Sequence, residues 1–176
     1  MYSTVLQCLE ETALNFPNKI AFADIKESFS FSELLNNAKK IGSFISKRVK
    51  PHQPIVVYMD KRAYNINAFL GAVYAGCFYV PVDSQMPAER INMILETLNP
   101  SMIIYDATTK KSIDLLGERY SKVYYGDALA ADIDVESLER IRKFSKSTDL
   151  LYVLFTSGST GIPKGVTISH LSVLDF

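Results

Sequence analysis

Features that mark secreted, membrane-bound or nucleic-acid-binding proteins are scarce in this sequence. Its two cysteines, Cys8 and Cys77, lie far apart in 176 residues and cannot supply a disulfide framework, which favours a reducing compartment. Lysine plus arginine numbers 19, and so does aspartate plus glutamate, so no net charge attracts nucleic acid or an anionic membrane. His52 and His170 have no cysteine or histidine at ligand spacing, and we expect no metal site.

Long apolar runs are equally scarce. The stretch 68–82, which contains neither a charged residue nor an asparagine, is shorter than the roughly 18 apolar residues that suggest a membrane span, and Gly71, Gly76 and Pro81 interrupt it. The N-terminus has neither the basic start nor the apolar core of a secretory signal. These absences predict a soluble, cytoplasmic protein with no membrane or nucleic-acid partner.

The sequence does contain enough apolar material for a folded core. Hydrophobic residues make up 48% of the chain and charged residues 22%, a balance typical of a globular domain. Runs of β-type residues alternate with amphipathic segments, which predicts an α/β domain built on a largely parallel sheet with helices. The predicted strands are 55–59, 77–80, 102–105, 122–125 and 150–154, with a short hairpin formed by 20–22 and 28–30.

The first predicted helix has an apolar face and a clear end. Val5, Leu9, Ala13 and Phe16 recur at helical spacing, which places them on one face. Pro17 ends this helix, because the residue before a proline is pushed out of the helical region.

Other helix boundaries follow from capping residues. Ser30 and Glu33 form a capping box that opens a long amphipathic helix to about Arg48. Asp60 is expected to cap the next helix, and Pro87 is expected in the first turn of another. Across 126–149 the pattern weakens and acidic residues give way to basic ones, so we expect a solvated loop with about one helical turn.

The stretch FTSGSTGIPKG, residues 155–165, is a glycine- and hydroxyl-rich loop with one lysine between two β-type runs. Glycines let consecutive backbone N–H groups converge on an anion. The serine and threonine hydroxyls add short donors, and Lys164 adds a mobile positive charge. We therefore predict a phosphate-binding loop between two strands, with a triphosphate or a pyrophosphate leaving group as its ligand.

Two other interpretations of this stretch explain it less well. A Walker A loop would need a glycine at Pro163 and a hydroxyl at Gly165, and it would open a helix where 166–168 predicts a strand. A polar hairpin tip accounts for the turn-forming residues, but a loop of about ten residues is longer than a tight hairpin needs.

Residues 156–165, TSGSTGIPKG, resemble the signature phosphate loop of the adenylate-forming superfamily, which includes acyl-CoA synthetases, luciferase and nonribosomal peptide synthetase adenylation domains. The segments 29–34 and 70–83 resemble two further motifs of that family, and 15–22 resembles its opening, so the resemblance covers essentially the entire chain. The segment 79–91 is similar to the amino-acid-activating branch, which includes D-alanine–carrier protein ligases.

The resemblance implies that residues 1–176 are a truncated N-terminal portion of an adenylation domain, inactive by itself. In this family an amino-acid carboxylate attacks the α-phosphorus of ATP in the presence of Mg²⁺. Pyrophosphate departs, and the phosphopantetheine thiol of a peptidyl or acyl carrier protein takes the acyl group. The family's magnesium-binding acid and catalytic lysine would lie beyond Phe176, so no catalytic or metal-binding residue is expected here. The resemblance assigns the ATP phosphates to Thr156, Ser157, Gly158, Ser159, Thr160, Gly161, Lys164 and Gly165.

Two alternatives remain open at this point. An acyl- or aryl-CoA ligase shares the phosphate loop, although the segment 79–91 disfavours that branch. A non-catalytic nucleotide-binding module could also keep this fold. The identity of an amino-acid substrate is not encoded here, because the family's substrate pocket lies elsewhere.

Overall fold

The computed structural model describes residues 2–156 and 163–175 of the chain. Within these ranges the chain forms eight strands. Two strands form an antiparallel hairpin and the other six form one sheet. The hairpin strands are β1 (Ile20–Ala23) and β2 (Ser28–Ser30). The sheet consists of β3 (Pro54–Tyr58), β4 (Phe78–Pro81), β5 (Met102–Tyr105), β6 (Lys122–Tyr124), β7 (Leu150–Thr156) and β8 (Lys164–Ser169).

Helices connect most of these strands. They are α1 (Val5–Asn15), α2 (Phe31–Ser46), α3 (Asn65–Tyr74), α4 (Ala88–Leu98), α5 (Tyr125–Leu129), α6 (Val135–Phe144) and α7 (His170–Leu174), with a 3-10 turn at Ile113–Leu115. None of the helices within the described ranges combines the length and hydropathy needed to cross a membrane.

The six-stranded sheet is largely parallel, which confirms the predicted α/β class. Its strand order is β6-β5-β3-β4-β7-β8. The first five strands in this order run parallel to one another, and β8 runs antiparallel to β7. Each predicted strand is present, with ends displaced by no more than two residues.

Helices cover both faces of this sheet. The helices α2 and α3 pack on one face, against side chains such as Ile55 and Val57. The helix α4 packs on the opposite face, against Val56, Val80 and Ile103. The uninterrupted β-branched run of β3 is therefore explained by burial on both faces. An outer layer formed by α1 and α6 covers α2 and α3.

The capping signals explain where two of these helices begin and end. The Ser30 N–H donates to Glu33 Oε2 at 2.7 Å, and the Glu33 N–H donates to Ser30 Oγ at 3.3 Å, so the predicted capping box opens α2. Pro87 is the N-cap of α4, directly before its first residue. Asn99 ends α4 with a left-handed backbone, φ 47°, a conformation that asparagine tolerates better than most residues.

Two predictions about the outer helices are wrong. The segment 126–149 is no solvated loop, because it contains most of α5 and all of α6, which is capped by the Asp134 side chain. Leu138 is the one fully buried residue of α6, and the charged residues around it make the segment resemble a solvated loop. In α1 the buried residues are Leu6, Leu9 and Ala13, whereas Phe16 lies beyond the helix end and is exposed.

The predicted cap at Asp60 is also wrong. Four residues lie between Asp60 and the first residue of α3, Asn65, and Tyr64 occupies the N-cap position. The carboxylate instead accepts a hydrogen bond from the Ser84 hydroxyl. Asp60 thus connects the chain after β3 to the chain after β4.

Candidate functional site

The predicted phosphate loop connects the antiparallel strands β7 and β8. Thr156 faces Lys164 across this pair, and the Thr156 hydroxyl lies 3.5 Å from the carbonyl oxygen of Lys164. Both residues are exposed. The predicted strand–loop–strand arrangement is confirmed, although Lys164 is the first residue of β8 and not part of the loop. The other predicted loop ligands lie outside the described residues: Ser157, Gly158, Ser159, Thr160 and Gly161.

Gly165 has a packing role that the sequence did not reveal. A Cβ atom at this position would lie 2.9 Å from Val153 Cγ1 and 3.3 Å from Phe155 Cζ. A methyl group at the first distance requires a shift of the strand or of the β-branched Val153 side chain. The structure therefore explains Gly165 by the close approach of β8 to β7, and its predicted contact with phosphate stays a prediction.

Three polar residues lie at the carboxyl edge of the sheet, at the ends of strands or just beyond them. Tyr79 of β4 pairs with Tyr152 of β7, and their rings stack with centroids 5.3 Å apart. Asp83 lies two residues beyond the end of β4, and Thr156, the last residue of β7, pairs with Lys164 of β8. Because β4 and β7 are adjacent parallel strands, these three residues lie at the same edge of the sheet.

The chain leaves β4 and β7 in opposite directions at this edge. After β4 it crosses β3 through α4 to reach β5, whereas after β7 it turns back through β8 on the other side. Adjacent strands with diverging connections leave a crevice outside their carboxyl ends, which is where open α/β sheets bind ligands. Asp83 and Thr156 lie at the ends of these two strands, so the loop begins at such a crevice.

A lysine–aspartate pair lies at the same edge. Lys61 Nζ is 2.9 Å from Asp83 Oδ2, and the Gln85 N–H donates to Asp83 Oδ1 at 3.0 Å. The hydrogen bond from Gln85, together with the Lys61 ammonium, lowers the pKa of Asp83, so this carboxylate is charged at neutral pH. The Lys61 side chain is 85% exposed, so its ammonium is open to a ligand.

The neighbouring Arg62 is committed to a different partner. Its Nε donates to Asp24 Oδ2 at 2.8 Å, and its terminal nitrogen contacts Glu27 Oε1 at 3.2 Å. The Ala63 N–H also donates to Asp24 Oδ2. The Arg62 hydrogen bond, together with backbone donors, holds the pKa of Asp24 well below its usual range. This network attaches the β1–β2 hairpin to the start of α3 and leaves Lys61 as the mobile cation of the pair.

Asp106, at the end of β5, is a buried carboxylate whose oxygens are already occupied. Tyr64 Oη donates to Oδ2 at 2.5 Å, and the N–H groups of Thr108 and Thr109 donate to Oδ1 at 2.9 and 3.1 Å. Burial alone would raise the pKa of Asp106, but the hydrogen bonds from Thr108 and Tyr64 outweigh it and lower that pKa. Asp106 therefore organises the turn after β5 and is poorly suited to act as a general base.

The groups at the carboxyl edge suit anion binding. Within the described part of the chain, the edge presents the Thr156 hydroxyl and the ammonium groups of Lys61 and Lys164. Hydroxyl and ammonium donors near a glycine-rich turn form the donor set expected of a polyphosphate site. Sequence reasoning identified Thr156 and Lys164 but missed Lys61, whose only local signal is its place just after a buried strand.

The chain thus forms an α/β sheet in which the predicted phosphate loop connects two strands and does not open a helix, unlike a Walker A site. The chain belongs to the AMP-binding enzyme family, whose model matches residues 9–176.

Relatives with established names agree with this family. The chain is 36% identical over 162 residues to a D-alanine–D-alanyl carrier protein ligase of Bacillus velezensis, covering 91% of this chain and 31% of that protein. It is 31% identical over 174 residues to tyrocidine synthase 1 of Brevibacillus parabrevis, covering 97% of this chain and 15% of that protein. This chain thus spans about a third or less of the length of the relatives it matches.

Solved structures show the same fold. A fatty acyl-adenylate ligase from L. pneumophila, determined with acyl adenylate and pyrophosphate, superimposes with a TM-score of 0.76 at 25% identity. The match covers 98% of this chain and 31% of that protein. The predicted resemblance to adenylate-forming enzymes is therefore confirmed at the level of family and fold.

Proposed function

We propose that the protein containing this chain activates an amino acid by ATP-dependent adenylation and passes the acyl group to the phosphopantetheine thiol of a carrier protein. The main structural support for this proposal is the β7–β8 hairpin, in which Thr156 and Lys164 lie at the crevice beside the end of β4. The similarity to a D-alanine–D-alanyl carrier protein ligase and to tyrocidine synthase 1 supports the amino-acid branch.

In this proposal the chain supplies phosphate binding and no nucleophile. Negative charge grows on the β- and γ-phosphates as pyrophosphate leaves the α-phosphorus, and donors fixed near these oxygens stabilise the transition state. Lys164 contributes a positive charge and Thr156 a hydroxyl, together with the predicted ligands at 157–161. These residues fit a phosphate ligand by their chemistry, because the exposed Thr156 and the exposed Lys164 are paired across β7 and β8 and supply a hydroxyl and an ammonium group.

Mg²⁺, the carrier protein and a cytoplasmic location belong to the same proposal. Mg²⁺ would neutralise the phosphates, and no residue of this chain is assigned to it. Within the described residues, histidine, cysteine, aspartate and glutamate form no group of three suited to one metal ion.

ATP–pyrophosphate exchange in the whole protein tests the proposal, with a panel of amino acids and simple carboxylic acids as substrates. We expect exchange driven by an amino acid, and a KM for ATP raised about tenfold by Lys164→Ala, which corresponds to ~1.4 kcal/mol of lost charge interaction. Lys50→Ala is the matched control, because Lys50 is an exposed lysine before β3, at the opposite edge of the sheet. Equal KM values for Lys164→Ala and the control would contradict the loop assignment.

A second candidate function is an acyl-adenylate ligase. The structural similarity to the L. pneumophila fatty acyl-adenylate ligase favours it. Exchange driven only by fatty or aryl acids would establish this branch. A folded whole protein that catalyses no exchange with any acid would instead favour a non-catalytic nucleotide-binding module.

A further inference from the structure

We propose that Lys61 is a second phosphate-positioning residue, which exchanges its partner Asp83 for the polyphosphate of the nucleotide or for pyrophosphate. The inference rests on the proposed phosphate site at the end of β7 and extends it to a residue on a different strand connection. It concerns only residues that the structure describes.

The first observation is the position of the Lys61 ammonium. Although Lys61 follows β3, its Nζ lies 2.9 Å from Asp83 and is therefore located over the end of β4. The strand β4 is the direct neighbour of β7. The ammonium thus lies at the end of the strand next to the one that leads into the predicted phosphate loop.

The second observation is that a lysine lies on each side of the end of β7. Lys164 begins β8, the neighbour of β7 on the side away from β4. Lys61 lies at the end of β4, the neighbour of β7 on the other side, so a lysine flanks the end of β7 on each side. The strands β4 and β8 are two strand spacings, about 10 Å, apart. Two ammonium groups on flexible stems that start from these two strand ends can bind different phosphates of one polyphosphate.

The third observation is that Lys61 is held weakly enough to change partner. Its side chain is 85% exposed and that of Asp83 is 30% exposed, so their ion pair contributes little to stability. Asp83 keeps a hydrogen bond from the Gln85 N–H when Lys61 leaves. Arg62 cannot replace Lys61, because its guanidinium is bound to Asp24 and Glu27 in a half-buried network.

Asp83 sets the direction of this exchange. Its carboxylate repels phosphate when it is unpaired, and it competes with phosphate for the Lys61 ammonium. Neutralising Asp83 should therefore strengthen anion binding, whereas removing Lys61 should weaken it. A role of the pair in the fold alone would predict no tightening in either variant.

Isothermal titration of the whole protein with inorganic pyrophosphate and with MgATP, at about 50 and 200 mM salt, tests this inference. We expect Lys61→Ala to raise both dissociation constants about 5- to 10-fold at the lower salt, and less at the higher salt because ions screen exposed charges. Lys61→Arg should stay within about 3-fold of wild type, and Asp83→Asn should bind about 2- to 3-fold tighter. Lys50→Ala should leave both constants unchanged.

The outcomes separate this inference from the proposed function. If the wild type binds pyrophosphate and Lys61→Ala binds it equally well, the role of Lys61 is overturned while the phosphate site at β7 stands. If Lys61→Ala and Asp83→Asn both weaken binding, the pair acts through structure and the partner exchange is wrong. If the wild type binds neither ligand and catalyses no exchange, the proposed function itself fails.

Discussion

Two explanations compete for the glycine at position 165: the close packing of β8 against β7, and a contact of its backbone with phosphate. The structure places a hypothetical Cβ 2.9 Å from Val153 Cγ1, closer than real Cβ atoms approach, so Gly165→Ala must displace β8 or the Val153 side chain. Inserting a methyl group into a well-packed contact costs typically 1–3 kcal/mol, and we expect about 1–2 kcal/mol because β8 is at the edge of the sheet. For a domain of this size that lowers Tm by roughly 2–8 °C.

The structural origin of this cost can be tested with a double-mutant cycle. Val153→Ala removes the contacted methyl and should cost about 2 kcal/mol, because Val153 is buried. The double variant Gly165→Ala/Val153→Ala should be about 1 kcal/mol more stable than the sum of the single changes, since the new methyl fills the space left by the old one. Thermal unfolding followed by circular dichroism measures all four proteins.

A second measurement separates packing from phosphate binding. If Gly165 matters through packing alone, Gly165→Ala should leave the pyrophosphate dissociation constant within about 2-fold of wild type at a temperature where the variant is folded. Additive destabilisation in the cycle, or a wild-type Tm for Gly165→Ala, would refute the close approach of β8 to β7. Weakened pyrophosphate binding without any loss of stability would restore the predicted contact with phosphate.

Two further predictions concern the framework. Ser30→Ala removes the capping box of α2 and should lower the free energy of unfolding by about 1 kcal/mol. The control Ser28→Ala, in the exposed part of β2, should lower it by less than about 0.5 kcal/mol. Equal losses in the two variants would show that the capping box contributes nothing. His170 is 4% exposed, and its Nδ1 accepts a hydrogen bond from the Val5 N–H at 3.3 Å. Burial lowers the pKa of His170, and the charge of Asp149 opposes this shift in part. The His170 side chain therefore binds a proton more tightly in the unfolded chain than in the folded one. Stability from this group is complete above the unfolded value of about 6.5 and decreases as the pH falls below it. Between pH 7.5 and 5.5, Tm should therefore fall less in His170→Gln than in wild type. The variant His52→Asn is the control at an exposed histidine. An identical dependence of Tm on pH in His170→Gln and wild type would contradict this prediction.

Local sequence signals predicted most of the elements because their causes are local. The β-branched run of β3, the Ser30–Glu33 capping box and the glycine-rich stretch after β7 each depend on neighbouring residues alone. The prediction failed at α6, where charged residues surround the one fully buried side chain, Leu138, and the segment therefore resembles a solvated loop.

The sequence by itself determined the α/β class and the strand–loop–strand unit, and it singled out Thr156 and Lys164, two of the proposed site residues that the structure describes. Only the tertiary structure decided that Lys61 and Asp83 share that edge, because β4 and β7 are about seventy residues apart in the chain and become neighbours through packing of α3 and α4 on opposite faces. Strand order depends on such long-range contacts, which no local pattern encodes. A residue without a motif can therefore belong to the site solely because of the strand beside it.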